Sequence, residues 1–146
     1  MPQSTRMKAD LSPIPWVEAL SVGDAAIDAE HRFFIELVNR FSDMVAQDAS
    51  KIGINALLHR LIEHSREHFK NEEAILEASR YPELAAHRQA HQALLQALEA
   101  VVQDFLAADE YDRWVAAALH VKTALVDHLL HQDMRFKSHL QDRVGR

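Results

Sequence analysis

The chain has 146 residues, of which 48% are hydrophobic and 26% charged, as expected for one globular domain with its own core. Its formal net charge is −6 at pH 7 and its Lys and Arg residues are scattered, so a nucleic-acid partner, which needs a basic surface, is not expected. The absence of Cys excludes disulfides, zinc–thiolate sites, iron–sulfur clusters and thiol nucleophiles, and it fits a reducing, cytoplasmic compartment.

The composition of the first residues leads us to expect neither a secretion signal nor a membrane span there. Residues 1–15 are polar and contain three of the four prolines, without the apolar stretch that a signal peptide needs. No apolar run anywhere approaches the roughly 18 residues of a transmembrane helix, so no membrane is expected as a partner. Residues 1–23 are predicted to form an N-terminal arm that lies across the domain and is pinned by Trp16.

Four amphipathic segments follow, each with apolar side chains at the 3.6-residue spacing of an α-helix. Ser50 suits an N-cap, Pro82 suits the first turn of the third helix, and Ala108-Asp109 supplies a turn and a cap. The predicted helices cover about residues 24–47, 50–79, 82–107 and 110–140.

Long helices with short connections restrict the topology of the domain. Helices of roughly 24–30 residues are roughly 35–45 Å long at 1.5 Å per residue, so a short link forces the next helix to run antiparallel. The predicted fold is therefore all-α: an antiparallel up-down-up-down four-helix bundle over residues 24–146, preceded by the N-terminal arm.

Histidine is the unusual feature of the composition, because 10 are more than a chain of this length normally carries. Residues four apart on a helix lie one turn above each other on one face, so both can reach one metal ion. The candidate ligands, in helix order, are His31; His68 and Glu72; His87 and His91; and His128 and Asp133.

The combined positions of these candidates favour a metal site more than any single pair does. A lone His-x3-His pair on a helix is more often a solvated surface feature. The five-residue step from His128 to Asp133 is weaker still, since an α-helix turns the two about 140° apart. All seven candidates, however, lie near the starts of the first and third helices and towards the ends of the second and fourth. We therefore predict that they converge at one end of the bundle.

The donor types indicate two ions. Five imidazoles and two carboxylates exceed the needs of one ion but match two octahedral ions that share two bridges, and such donors suit iron, manganese or zinc. The ferritin-like alternative needs Glu-x-x-His on two helices, and no Glu here precedes a His at that spacing. The His-Glu-x-x-His motif of zinc proteases is absent as well.

These motifs resemble those of the haemerythrin family, in particular its bacterial single-domain members. The resemblance extends from Trp16 to about Phe136. Its motifs are Ser21-Val22-Gly23, Ile27-Asp28-Ala29-Glu30-His31, Leu37-Val38-Asn39, His68-Phe69-x2-Glu72-Glu73, Tyr81-Pro82-Glu83-Leu84-x2-His87-x3-His91 and His128-x4-Asp133.

The resemblance implies reversible O2 binding, for storage, delivery or sensing, at two non-haem iron ions with an oxo or hydroxo bridge. One iron would have three histidine ligands and an open position would remain at the other, which has two. The three-histidine ligands would be His87, His91 and His128, the two-histidine ligands His31 and His68, and the bridging carboxylates Glu72 and Asp133.

The same resemblance leads to expectations about the oxygen pocket. Leu125 and Leu129, on either side of His128, would form apolar walls that keep water from the site. Ala124 departs from the family, which usually has Trp four residues before this His, so the pocket is expected to be larger or wetter. Arg80 is a second departure, because Gly is common before Tyr-Pro in the family.

Other functions stay open at this stage. The same site could belong to an enzyme that reduces peroxide or nitric oxide, or to an iron- or oxygen-sensing module with a separate protein partner. We expect no enzyme, because no further acid, base or substrate-orienting cluster is evident, and the oligomeric state is not predicted.

Other residues near the predicted ligands are expected to lie at the surface or beside the site. Glu67 and Glu73 are expected to be solvated. His64 and His131 are expected to be surface or neighbouring groups that could compete as ligands or line the channel. Asn39 and Asp28 are hypothesised to hold the imidazoles in one tautomer.

Overall fold

The computed structural model describes residues 11–107 and 109–144 of the chain. Three helices, α1 (Ala25–Ala46), α2 (Lys51–Ala78) and α3 (Leu84–Ala107), are followed by a fourth helical stretch. That stretch consists of α4 (Tyr111–Asp127), a π-helical turn (His128–Asp133) and α5 (Met134–Val144), which follow one another without a break.

The helix starts agree with the predicted capping only in part. The side chain of Ser50 accepts a hydrogen bond from the Gly53 amide at 3.1 Å, which confirms it as the N-cap of α2. Asp109 does not cap α4, because it instead forms an exposed ion pair with Lys51 at 2.7 Å. Pro82 lies in a turn ahead of α3, which begins at Leu84, and the predicted turn residue Ala108 lies outside the described residues.

Each helix packs against its chain neighbours, and α4 returns to contact α1. This closed arrangement of four helical stretches confirms the predicted all-α four-helix bundle. The stripes of Ile, Leu, Val and Phe that predicted the helices form its interior. Among the described residues, no helix combines the length and the apolar character needed to cross a membrane.

The core consists of two apolar clusters at different heights in the bundle. The larger cluster includes Phe34, Phe41, Leu58, Leu98 and Val121. The smaller cluster lies towards the other end and comprises Val22, Ile27, Leu76, Tyr81, Phe136 and Leu140. Along the chain, most candidate metal ligands lie between residues of the two clusters, and the other two, His68 and His128, directly precede Phe69 and Leu129 of the larger cluster.

The described part of the arm, residues 11–23, is fastened chiefly by Asn39. Its side chain accepts a hydrogen bond from the Ile14 amide at 2.7 Å and donates one to the Ile14 carbonyl at 2.9 Å. Trp16, the predicted anchor, is partly buried against the larger cluster, with the Arg32 guanidinium 4.7 Å from its ring centroid. The prediction of Trp16 as the pin therefore missed the hydrogen-bonded anchor two residues before it.

Asp28 fastens the end of the arm. Its carboxylate accepts hydrogen bonds from the Ser21 hydroxyl and from the Val22 amide. The hypothesis that Asn39 and Asp28 fix imidazole tautomers was therefore wrong, because both side chains face the arm.

Two helices end on a residue in the left-handed conformation. Arg80 (φ 61°) follows α2, and the amide of Tyr81 donates back to the carbonyl of Leu76 at 2.9 Å. Asp48 (φ 54°) follows α1 in the same way. This is the Schellman motif, in which Gly is favoured because a Cβ is strained at positive φ.

Replacing Arg80 by Gly should therefore stabilise the protein. Relief of left-handed strain is worth about 1–2 kcal/mol and is partly offset by the extra freedom of Gly in the unfolded chain, so we expect a net gain of up to about 1 kcal/mol. Denaturant unfolding at one fixed metal content measures it. Arg80→Ala is the control, since Ala keeps the strain; an equal gain in both variants would contradict this explanation.

Candidate metal centre

Seven polar side chains, each at most 5% exposed, meet in the layer between the two apolar clusters. They come from α1, α2, α3 and the π-helical turn. They are the seven candidates of the sequence analysis: His31, His68, Glu72, His87, His91, His128 and Asp133. Their ligand atoms form two groups that share Glu72, and the atoms of each group lie within 4.8 Å of one another.

One side of the layer has three imidazoles. The Nε2 atoms of His87 and His91 lie 2.6 and 3.0 Å from Oε1 of Glu72. On the same side, Nε2 of His128 lies 3.1 Å from Oδ1 of Asp133. His87 is also 3.3 Å from this oxygen, so it stands between the two carboxylates.

The other side has two imidazoles and uses the other oxygen of each carboxylate. Oε2 of Glu72 lies 3.1 Å from Nε2 of both His31 and His68. Oδ2 of Asp133 lies 3.1 Å from Nε2 of His31. Glu72 and Asp133 thus each present one oxygen to the three-histidine side and one to the two-histidine side.

The π-helical turn explains how His128 and Asp133 reach the same layer. A regular α-helix would turn residues five apart to directions about 140° apart. In a π-helix the backbone hydrogen bond spans five residues, which brings such a pair back to one face, and π-turns are frequent at functional sites. The spacing that looked weakest in the sequence is therefore accommodated by a local change of helix type.

The layer contains buried polar atoms without hydrogen-bond partners among the described residues. They include Nε2 of His68, Nε2 of His128 and both carboxylate oxygens of Asp133. Each lies 3.1 Å from an imidazole or carboxylate atom of the layer, yet none of these contacts is a hydrogen bond. A buried polar atom left unpaired costs about 1–3 kcal/mol, and coordination of a cation would satisfy all four. Imidazole and carboxylate donors fit iron.

Close contacts between these groups shift their protonation. Burial raises the pKa of the Glu72 carboxyl, but contacts with four histidines outweigh burial and hold it well below its usual range. Burial also raises the pKa of Asp133, as does nearby Glu72, and contacts with His128 and His31 bring it below its usual range. Burial lowers the pKa of His31 and His87, whereas the two carboxylates raise it to about 10 and about 9.

Two further carboxylates contact the outer nitrogens of the imidazoles. Nδ1 of His68 lies 2.8 Å from Oε1 of Glu30, and Nδ1 of His91 lies 2.7 Å from Oε2 of Glu73. The expectation that Glu73 is merely solvated was wrong, whereas Glu67 is exposed as expected. Glu30 and Glu73 were missed because their partners lie on a different helix, although their positions beside His31 and Glu72 offered a signal.

The remaining histidines stay outside the two groups. His64 is half-buried, with Nε2 3.1 Å from the Glu30 carbonyl, and its ring is stacked beside that of His68. His131 is exposed and pairs with Asp127 at 2.9 Å. His139 contacts the Ser79 carbonyl at 2.8 Å. None of these three is in either group of potential ligands.

Apolar side chains surround the layer. Leu125 and Leu129, the predicted wall residues, are both buried and belong to the larger cluster. The Phe69 ring is stacked on His91 with 4.1 Å between centroids. Ala124 is partly buried and packs against the same cluster.

Comparison with known proteins agrees with this geometry. The family profile described as "Hemerythrin HHE cation binding domain" matches residues 22–140. A "Bacteriohemerythrin" of Ralstonia nicotianae is 40% identical over 82 residues, which are 56% of either chain. Its namesake in Stenotrophomonas maltophilia is 29% identical over 82 residues, 56% of this chain and 52% of the relative. The chain thus spans about half the length of the curated relatives it matches.

The protonation of the cluster predicts how the stability of the metal-free protein depends on pH. The raised pKa values of His31 and His87 contribute stability that is complete below their ordinary value of 6.5 and is lost as the pH rises through about 9 to 10. The melting temperature of chelator-treated protein should therefore fall as the pH is raised from 6.5 to 10.

The metal-loaded protein is the control for this measurement. Metal ions compete with protons for the imidazoles, so stabilisation by added metal should increase over the same range. A rising melting temperature in the chelator-treated protein would show that the histidines are not held as imidazolium ions in the metal-free state.

Proposed function

The chain belongs to the haemerythrin family, and from that premise we propose that it binds molecular oxygen reversibly at a non-haem di-iron centre. The observation that carries the proposal is the division of the two buried carboxylates, each of which presents one oxygen to either side of the layer. A single ion would not need two such carboxylates, whereas two ions that share bridges would.

The proposed ligand sets follow the two sides of the layer. One iron would be held by three imidazoles and the other by two, with both carboxylates shared. The three are His87, His91 and His128, and the two are His31 and His68. The proposed shared carboxylates are Glu72, which belongs to both groups of potential ligands, and Asp133, whose Oδ2 lies 3.1 Å from Nε2 of His31. When bound, the iron pair would supply the open coordination position and the electrons that reversible oxygen binding requires.

The protein's own residues would hold the ions and keep water away. Each ligand projects from a helix that is packed on two others, so its position is fixed by the core rather than by a loop. Leu125 and Leu129 are proposed as apolar walls of the oxygen pocket, and their burial in the larger cluster supports this role. A dry pocket would slow irreversible oxidation of the iron.

We propose a binding protein rather than an enzyme. The carboxylates nearest to the ligands, Glu30 and Glu73, are engaged with imidazoles and are thus poorly placed to act as a general acid or base. Molecular oxygen is the proposed ligand, a reducing cytoplasm the proposed setting, and a separate protein partner would be needed for a sensing role.

Two measurements test the proposal together. Protein expressed with ample iron should contain two irons per chain. After reduction it should develop a visible iron charge-transfer band on exposure to oxygen and lose it when oxygen is removed. One zinc per chain without iron, or steady turnover of peroxide or nitric oxide without a reversible oxygenated form, would contradict it.

Variants on the fourth helical stretch test the ligand assignment. Asp133→Ala should lose both irons, because Asp133 contacts imidazoles on both sides of the layer. His139→Ala is the control and should retain two irons, because His139 is hydrogen-bonded to Ser79 instead. Loss of iron from the His139 variant, with iron retained in the Asp133 variant, would contradict the ligand assignment on this helical stretch.

Ala124→Trp tests the proposed pocket wall. The indole adds apolar surface of roughly 150–250 Å² one turn before His128, so the oxygenated form should decay more slowly than in the parent, with equal iron content. The decay of the visible band measures it. Equal or faster decay in the Trp variant would mean that the pocket is already closed or that position 124 faces elsewhere.

A further inference from the structure

Glu30 and Glu73 occupy equivalent places beside the two halves of the layer. Glu30, on α1, directly precedes His31, yet its carboxylate contacts His68 on α2. Glu73, on α2, directly follows Glu72, yet its carboxylate contacts His91 on α3. Adjacent residues on a helix point about 100° apart, so in both cases one residue faces the centre while its neighbour reaches across to the next helix.

Each outer carboxylate is itself held by a second group. The other oxygen of Glu30 accepts a hydrogen bond from the Asn71 amide at 2.8 Å. The other oxygen of Glu73 accepts one from Nε of Arg88 at 3.2 Å. A carboxylate held at both oxygens can keep the neighbouring imidazole ring in one orientation.

A carboxylate at Nδ1 determines which form the imidazole takes. It accepts the Nδ1 proton, which leaves the lone pair of Nε2 directed at the centre, and its negative charge makes that nitrogen a stronger donor. In His68 and His91, Nε2 is the atom that approaches Glu72, at 3.1 and 3.0 Å. By contrast, the buried Nδ1 of His31 has no hydrogen-bond partner among the described residues.

We propose that Glu30 and Glu73 are positioning residues, each of which sets the affinity of one of the two metal ions through its imidazole. Glu30 acts through His68 on the two-histidine ion, and Glu73 acts through His91 on the three-histidine ion. This inference rests on the proposed two-metal centre and adds to it a separate control of each ion.

Titration of the metal-free protein with Co²⁺ tests the inference without any oxygen chemistry, because bound Co²⁺ is visible by its absorption. The parent should bind two ions. Glu30→Ala and Glu73→Ala should each lower the affinity for one ion by about 10- to 100-fold and leave the affinity for the other nearly unchanged. The double variant should bind both ions more weakly. Glu30→Gln and Glu73→Gln, which keep an acceptor but lose the charge, should restore part of the affinity.

Glu67→Ala is the matched control, since Glu67 is an exposed neighbour of His68 that faces outwards. Melting of each metal-free variant checks that the bundle is intact. Two ions in the parent with unchanged affinity in both Ala variants, or weakening of the same ion by both, would overturn this inference alone. Fewer than two ions in the parent would overturn it together with the proposed function.

Discussion

Burying a carboxylate without compensation costs several kcal/mol, and Glu72 and Asp133 are both fully buried between two apolar clusters. Among the described residues, their neighbours of suitable chemistry are the imidazoles of the layer. The imidazoles are buried too, so the seven groups have to satisfy one another or share metal ions. The bundle has to bring four helical stretches to one level to achieve this.

The fold meets this demand with short connections and well-defined helix ends. The left-handed residues Asp48 and Arg80 end α1 and α2, so that the chain reverses direction within a few residues after each helix. The arm residue Ile14 is fastened to α1 through Asn39, and Asp28 holds the segment that leads into α1. These contacts place the start of α1, and with it His31, beside the ends of α2 and of the fourth stretch.

The arrangement around the layer connects its geometry to the proposed function. Two buried carboxylates each face both sides of the layer, outer carboxylates contact two of the imidazoles, and buried leucines lie next to His128. Each element alone is common in helical proteins. Their combination on four packed helices is what favours a buried metal centre over a surface metal site or an isolated ion-pair network.

The sequence by itself determined the four helices and the level of the seven candidate ligands, because helix periodicity and antiparallel packing after short links depend on local pattern. It did not reveal the π-helical turn, since in a regular α-helix His128 and Asp133 point in different directions. The helix changes type only because both side chains lie in one buried layer. Glu30, Glu73 and Asn39 likewise received their roles only from the tertiary structure. Their partners lie on other segments of the chain, and residue spacing along a single helix does not predict contacts between segments.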